Sequence, residues 1–153
     1  MSETAAQQTV KLATTRFGEV EVPADRVLHL AHGMVGFPTL HRYTLLQHRE
    51  GSPFHWLQSL DNPDLAFVVA NPLVFDPTYQ VVLGNAETQL LQVSDPGQIQ
   101  VWVVVTIPHG SPDKLTANLK APLVINLENR QAAQVILDDP RYPVRQALPK
   151  QPV

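Results

Sequence analysis

The chain has 153 residues, a length that suits one domain burying about 70% of its unfolded surface. A hydrophobic fraction of 44% with 16% charged residues excludes an intrinsically disordered chain and points to a globular one. The net charge is −3, and the absence of cysteine excludes disulfides and thiolate metal sites and fits a reducing compartment.

The start, MSETAAQQ, lacks the basic residue and apolar run of a secretory signal, and no apolar stretch is long enough to span a bilayer. The expectation is a soluble cytoplasmic protein with no membrane contact. Charge is unevenly spread: between Glu50 and Asp113 lie seven acidic residues and no Lys or Arg, while the rest of the chain nets +4. Direct nucleic-acid binding needs clustered cations, because phosphate neutralisation supplies most of the affinity. An acidic middle suits a basic partner protein instead, or acids that only solvate turns.

Fourteen prolines argue against long helices, and short β-branched or alternating runs recur along the chain. Val10 to Thr15 and Glu19 to Val22 read as a hairpin with Gly18 at its turn. Arg26 to Leu30 is a third strand, followed by the loop HGMVGFP, where Gly33 and Gly36 permit unusual backbone angles. Strands are expected at Tyr43–Gln47, Phe54–Ser59, Ala66–Ala70 and Tyr79–Leu83, with Pro63 in the turn Asp61-Asn62-Pro63-Asp64. Asn85 is expected to cap one short helix near residues 85–92. Ile99 to Ile107, IQVWVVVTI, is apolar at nearly every position and so should be covered on both faces. Thr116 to Leu137 reads as two or three short strands, with Asn129-Arg130 as a turn. The fold class is all-β, a mostly antiparallel small barrel or sandwich, as one domain over residues 10–145. Flexible tails are expected at 1–9 and 146–153.

Catalytic patterns are missing. The six histidines form no HExxH or His-x-His set, and Ser59 has no GxSxG context. The carboxylate pairs Asp61/Asp64 and Asp138/Asp139 sit beside proline in turn-like sequence, where Asp caps backbone. Trp56 and Trp102 lie in apolar strand runs that favour packing over base stacking. The reading is therefore a protein without enzymatic activity, metal or cofactor. Polar residues inside the last strand region, Asn118, Lys120 and Asn126, need internal partners or face something outside the chain. Together with Asp61 and Asp64, chosen on charge, they are the candidates for partner contact. For each of the five a structural role in bulges, turns or caps stands beside that reading.

The segments RFGEVEV, GMVGFPTLHRYTLL, SPFHWLQSLDNPDLAFVVANP and TANLKAPLVINLENRQAAQVIL-DDPRYPVR resemble, in order and over roughly residues 10 to 145, the flagellar assembly factor FliW family. LAHGMVGF departs from that pattern, which more often has an aromatic, a proline and an acid ahead of the glycine. The resemblance implies a small β-barrel-like protein that binds flagellin in the cytoplasm and also binds CsrA, a translational regulator of flagellin mRNA. It implies partner switching, in which the factor released by secreted flagellin relieves CsrA repression. The expected free state is a monomer that binds no nucleic acid directly. The alternative is a small β-barrel binding single-stranded nucleic acid, motivated by β class and the two tryptophans.

Overall fold

The computed structural model describes residues 9–47, 50–111 and 114–148. Most of both expected tails, together with His48 and Asp113, lies outside the described residues. The first two strands, β1 (Thr9–Thr14) and β2 (Gly18–Pro23), form a hairpin that is a two-stranded sheet of its own. There follow β3 (Leu28–Leu30), β4 (Arg42–Gln47), β5 (Phe54–Ser59) and β6 (Ala66–Ala70). After them come helix α1 (Asn85–Leu91), β7 (Ile99–Thr106), β8 (Thr116–Ala117), β9 (Leu123–Asn126), β10 (Gln131–Gln134) and β11 (Gln146–Ala147).

Seven strands close into a barrel in the order β7-β6-β5-β4-β3-β10-β9, with β9 returning to pair with β7 from Ile99↔Asn126 to Trp102↔Leu123. The second half of the same edge of β7 pairs with β8 at Val105↔Ala117, and β11 extends that edge. All neighbours are antiparallel except β3 with β10. Closure leaves none of the seven with a long open edge, so the backbone donors of short strands are satisfied without a large sheet.

The barrel interior takes side chains from all seven strands. Leu28, Leu30, Tyr43, Leu57, Val69, Trp102, Leu123, Ile125 and Ala132 are all buried in it. Each large aliphatic side chain there contributes about 1.5–3 kcal/mol by leaving water. Met34 and Leu40 from the loop after β3 pack on this cluster, and Phe37 from the same loop meets Phe67 edge-on at 5.6 Å, so that loop plugs one end of the barrel. Gly33 is needed for this plug. Its φ is +66°, and a Cβ would come within 2.2 Å of the Phe37 carbonyl oxygen.

A second apolar layer wraps the outside. Val103 and Val105 of β7, Val124 and Ala133 point outward against Phe75, Tyr79, Leu91, Leu119, Val135 and Leu137. Trp102 and Val104 point inward, so β7 is apolar on both faces because both faces are covered. The β1–β2 hairpin is held on the barrel by Val22 against Val27 and Leu60.

Four expected local features differ. Tyr79–Leu83 is not a strand, although its side chains alternate between inside and outside and Val81 and Leu83 pack in the outer layer. The barrel edges near it are already paired. The Gln80 N–H bonds the Tyr142 hydroxyl at 3.0 Å instead of another strand. Asn85 is the first helical residue rather than the cap: extended Gly84 occupies the cap position, and its carbonyl accepts from the Thr88 N–H at 3.0 Å. Gln146 and Ala147, assigned to the tail by sequence, pair with Ala117 and Thr116. The strand expected from Arg26 begins at Leu28, since Ala24–Arg26 forms a 3-10 turn.

Candidate partner surface and the open barrel end

The five residues singled out by sequence fall in three places. Asp61 and Asp64 lie in the β5–β6 turn, where the Leu65 N–H bonds the Asn62 carbonyl at 3.1 Å and Pro63 is the first central residue. The Asp61 carboxylate accepts from the backbone N–H groups of His41 (2.8 Å) and Arg42 (3.0 Å) and from Arg42 Nε (2.8 Å). Burial pushes its pKa up, but these N–H groups and the Arg42 charge outweigh that and hold it below the usual carboxylate range. Asp61 is thus a brace between β4 and the turn. Asp64 is exposed and accepts from the Thr15 hydroxyl, while the Thr15 N–H bonds the Pro63 carbonyl at 3.2 Å.

These bonds dock the tip of the β1–β2 hairpin on the turn. Beside them the Arg16 guanidinium lies 4.4 Å from the Trp56 ring centre, and Phe17 meets that ring edge-on at 5.6 Å. Trp56 is therefore half-buried under the hairpin tip. Beneath the turn, fully buried Gln58 donates its amide to the carbonyls of Ser59 (2.9 Å), Pro63 (3.3 Å) and Leu65 (3.1 Å). Sequence reasoning missed Gln58, because FHWLQS mixes polar and apolar residues and nothing in it marks this one as buried.

Asn118 and Lys120 belong to the β8–β9 connection. The Asn118 Oδ1 accepts from the N–H groups of Lys120 and Ala121, both at 3.1 Å, so this amide shapes the turn. Lys120 is half-buried, and its Nζ donates to the Leu137 carbonyl at 3.3 Å. Asn126 stands apart. At 1% exposure, it donates Nδ2 to the Leu91 carbonyl at 2.9 Å and accepts at Oδ1 from the Glu128 N–H at 2.9 Å. It pins the C-terminus of α1 to the β9–β10 turn and has no surface to offer a partner, which corrects the sequence expectation for this residue. The reason is that α1 folds back over β9, a contact that strand pattern does not reveal.

Two acids of the central segment cap their own turns. Asp76 accepts from the Thr78 N–H at 2.9 Å, and Asp95 accepts from the Gly97 N–H at 2.9 Å. Among the described residues, the ion pairs are Lys11–Glu21, Arg42–Asp61 and Arg141–Asp139, so only Asp61 of the central acids is neutralised by a cation. The described residues contain no group of three His, Asp or Glu side chains that could hold a metal, and no helix long and apolar enough to cross a membrane.

At the end of β4 and β5 away from the Asp61–Asp64 turn, the barrel is open. A cavity of about 400 Å³ lies there, with Arg26, Arg130, His55, Trp102, Gln47 and Gln100 in its walls. The His55 and Trp102 rings lie 4.6 Å apart, and burial lowers the His55 pKa, favouring the neutral ring. No part of this cavity was anticipated, because its walls come from β3, β4, β5, β7 and the β9–β10 turn.

A sequence model described as FliW protein matches residues 11–148. The flagellar assembly factor FliW of Ruminiclostridium cellulolyticum is 40% identical over 133 residues, covering 86% of this chain and 89% of that one. The corresponding factor of Thermoanaerobacter pseudethanolicus is 39% identical over 140 residues, covering 91% and 93%. A crystal structure of the flagellar assembly factor FliW superposes with a TM-score of 0.84 at 32% identity, over 94% of this chain and 99% of that one. Those matches run through the hairpin, the closed barrel and the outer layer alike, and the chain belongs to the FliW family.

Proposed function

We propose that this protein is a cytoplasmic flagellar assembly factor that acts by association, binding flagellin and, in its absence, the translational regulator CsrA. Family membership across the whole barrel carries this reading. In the proposed cycle, flagellin occupies the factor while it accumulates. After export, the free factor binds CsrA and lifts its repression of flagellin mRNA translation. Supporting the reading, the central acids project a field that the described cations leave largely unpaired, and an RNA-holding regulator offers basic surface.

For the contact surfaces, we put forward the Asp61–Asp64 turn with the docked hairpin tip, and Lys120 on the β8–β9 connection. In this assignment Asn118 braces the turn that carries Lys120. The experiment is a titration of the purified protein into CsrA bound to the flagellin mRNA leader. Release of RNA is expected, and RNA held by CsrA at saturating protein would refute the CsrA branch. Co-purification with flagellin monomer tests the other branch separately. Light scattering on the free protein should return a monomer mass near 17.0 kDa. Direct nucleic-acid binding is the weaker reading, because Trp102 is buried and Trp56 is covered by Arg16 and Phe17.

A further inference from the structure

We infer that the open end of the barrel is a binding site for a small organic carboxylate, with the acid group held between Arg26 and Arg130 and its body against the inner wall. A cavity of about 400 Å³ falls within the range of small-ligand sites. The opposite end is filled by the Met34–Leu40 loop, so this opening is a distinct feature of the barrel.

The charge of the walls selects an anion. Among the described residues, two arginines line the cavity and no carboxylate does, in a chain whose net charge is −3. Neither guanidinium has an ion-pair or hydrogen-bond partner among the described residues, whereas Arg42 and Arg141 are both paired. Asp25 and Glu128 lie next door, along an adjoining hollow that shares Leu127 and Arg130 with this cavity. The planar guanidinium fork matches a carboxylate with two parallel bonds.

Arg130 is also held in position by the backbone. It has φ +62°, a conformation that favours Gly or Asn, yet the position carries a long cation. Its N–H bonds the Asn126 carbonyl at 2.8 Å, and its own carbonyl accepts from the His29 N–H at 2.9 Å. A residue in this region persists where its surroundings fix it, and such positions concentrate at ligand sites.

Part of the remaining wall, interspersed with Thr44, Gln47, His55 and Gln100, offers an organic body an apolar contact. Leu28, Leu45 and Leu127 are apolar, and Trp102 adds an aromatic edge. The Trp102 indole N–H is already bonded to Gln100 Oε1 at 2.9 Å, which leaves the Gln100 amide nitrogen as a donor beside the cavity. His55 Nδ1 is buried without a partner among the described residues, a further polar group at the same end of the barrel.

Benzoate, benzamide and inorganic phosphate are the probes, added to the intact protein and followed through the Trp102 indole N–H resonance by NMR and by calorimetry. Benzoate should bind at least about tenfold more tightly than its neutral isostere benzamide, as expected for a charge-assisted pair. Phosphate, which has no apolar body, should bind more weakly than benzoate. Arg26→Gln and Arg130→Gln should each weaken benzoate about tenfold, and Arg26→Lys, which keeps the charge but not the fork, should lose less than Arg26→Gln. Circular dichroism of every variant verifies that the barrel is intact, and Arg26→Gln leaves no internal side-chain bond unmade. Equal binding of benzamide, or unchanged benzoate binding in the folded Arg26→Gln/Arg130→Gln variant, would overturn the site. Phosphate binding as tightly as benzoate would overturn the organic body.

Discussion

Replacing Asn126 with alanine separates a strut from a contact surface. The side chain makes two good hydrogen bonds, to the Leu91 carbonyl and from the Glu128 N–H, both at 2.9 Å, and a longer one to the Gln92 carbonyl at 3.4 Å. At about 1 kcal/mol net for each good bond, their loss costs about 2 kcal/mol. The groups left behind soften the loss: Leu91 keeps a bond from Asn129 Nδ2 at 3.1 Å, and Glu128 is exposed so its N–H can meet water. The small void adds under about 1 kcal/mol. The total is about 2–3 kcal/mol, or a fall in Tm of about 4–12 °C for a domain of this size. Asn126→Asp should be worse at neutral pH, since a carboxylate would face the Leu91 and Gln92 carbonyls. Its folded pKa would be raised, so the variant loses stability as pH rises from the unfolded value toward the folded one. Thermal and urea melts at pH 4 and pH 7 measure both effects. A loss below about 0.5 kcal/mol for Asn126→Ala, within the range of an ordinary surface substitution, would refute the assignment of Asn126 as the pin between α1 and the barrel.

Lys120→Glu should weaken a partner complex while shifting Tm by only a few degrees, since the Nζ makes a single 3.3 Å bond; a large fall in Tm would show Lys120 to be structural. Gly33→Ala should cost more than about 3 kcal/mol, because the new methyl meets the Phe37 carbonyl at 2.2 Å on a backbone of positive φ. A urea midpoint close to that of the parent protein would contradict the fixed plug. Asp61→Asn should flatten the acid limb of the stability profile. The Asp61 pKa is lowered on folding, so its contribution is present above the usual carboxylate value and is lost as pH falls through the depressed one. Parallel acid limbs for the two proteins would remove Asp61 as a source of that dependence.

Much of the local structure was legible because strand period and turn chemistry act over a few residues. Phe54–Ser59 and Ala66–Ala70 were placed to the residue, and Pro63 sits where its fixed φ suits the turn. Tyr79–Leu83 has the same inside–outside alternation as a strand yet forms none, because ladder partners are assigned by the closed barrel and not by the segment. The five candidate residues show the same division. Their polarity inside strand patterns was visible, but whether a polar group faces water, a turn or a helix end depends on elements distant in the chain. Leu91 lies 35 residues from Asn126, and Asp61 lies 19 residues from Arg42.

By itself, the sequence determined the β class, the hairpin, the double burial of β7 and the family resemblance. Each is carried by side-chain order along a short stretch, or by motifs repeated in the same order. The tertiary structure alone decided the seven-strand closure through β9 and β7, the role of Asn126 as an internal pin, and the placing of Arg26 and Arg130 in the walls of one cavity at the open end. Those features arise where residues far apart in the chain share a few ångströms of space, and neither period nor composition records such distances.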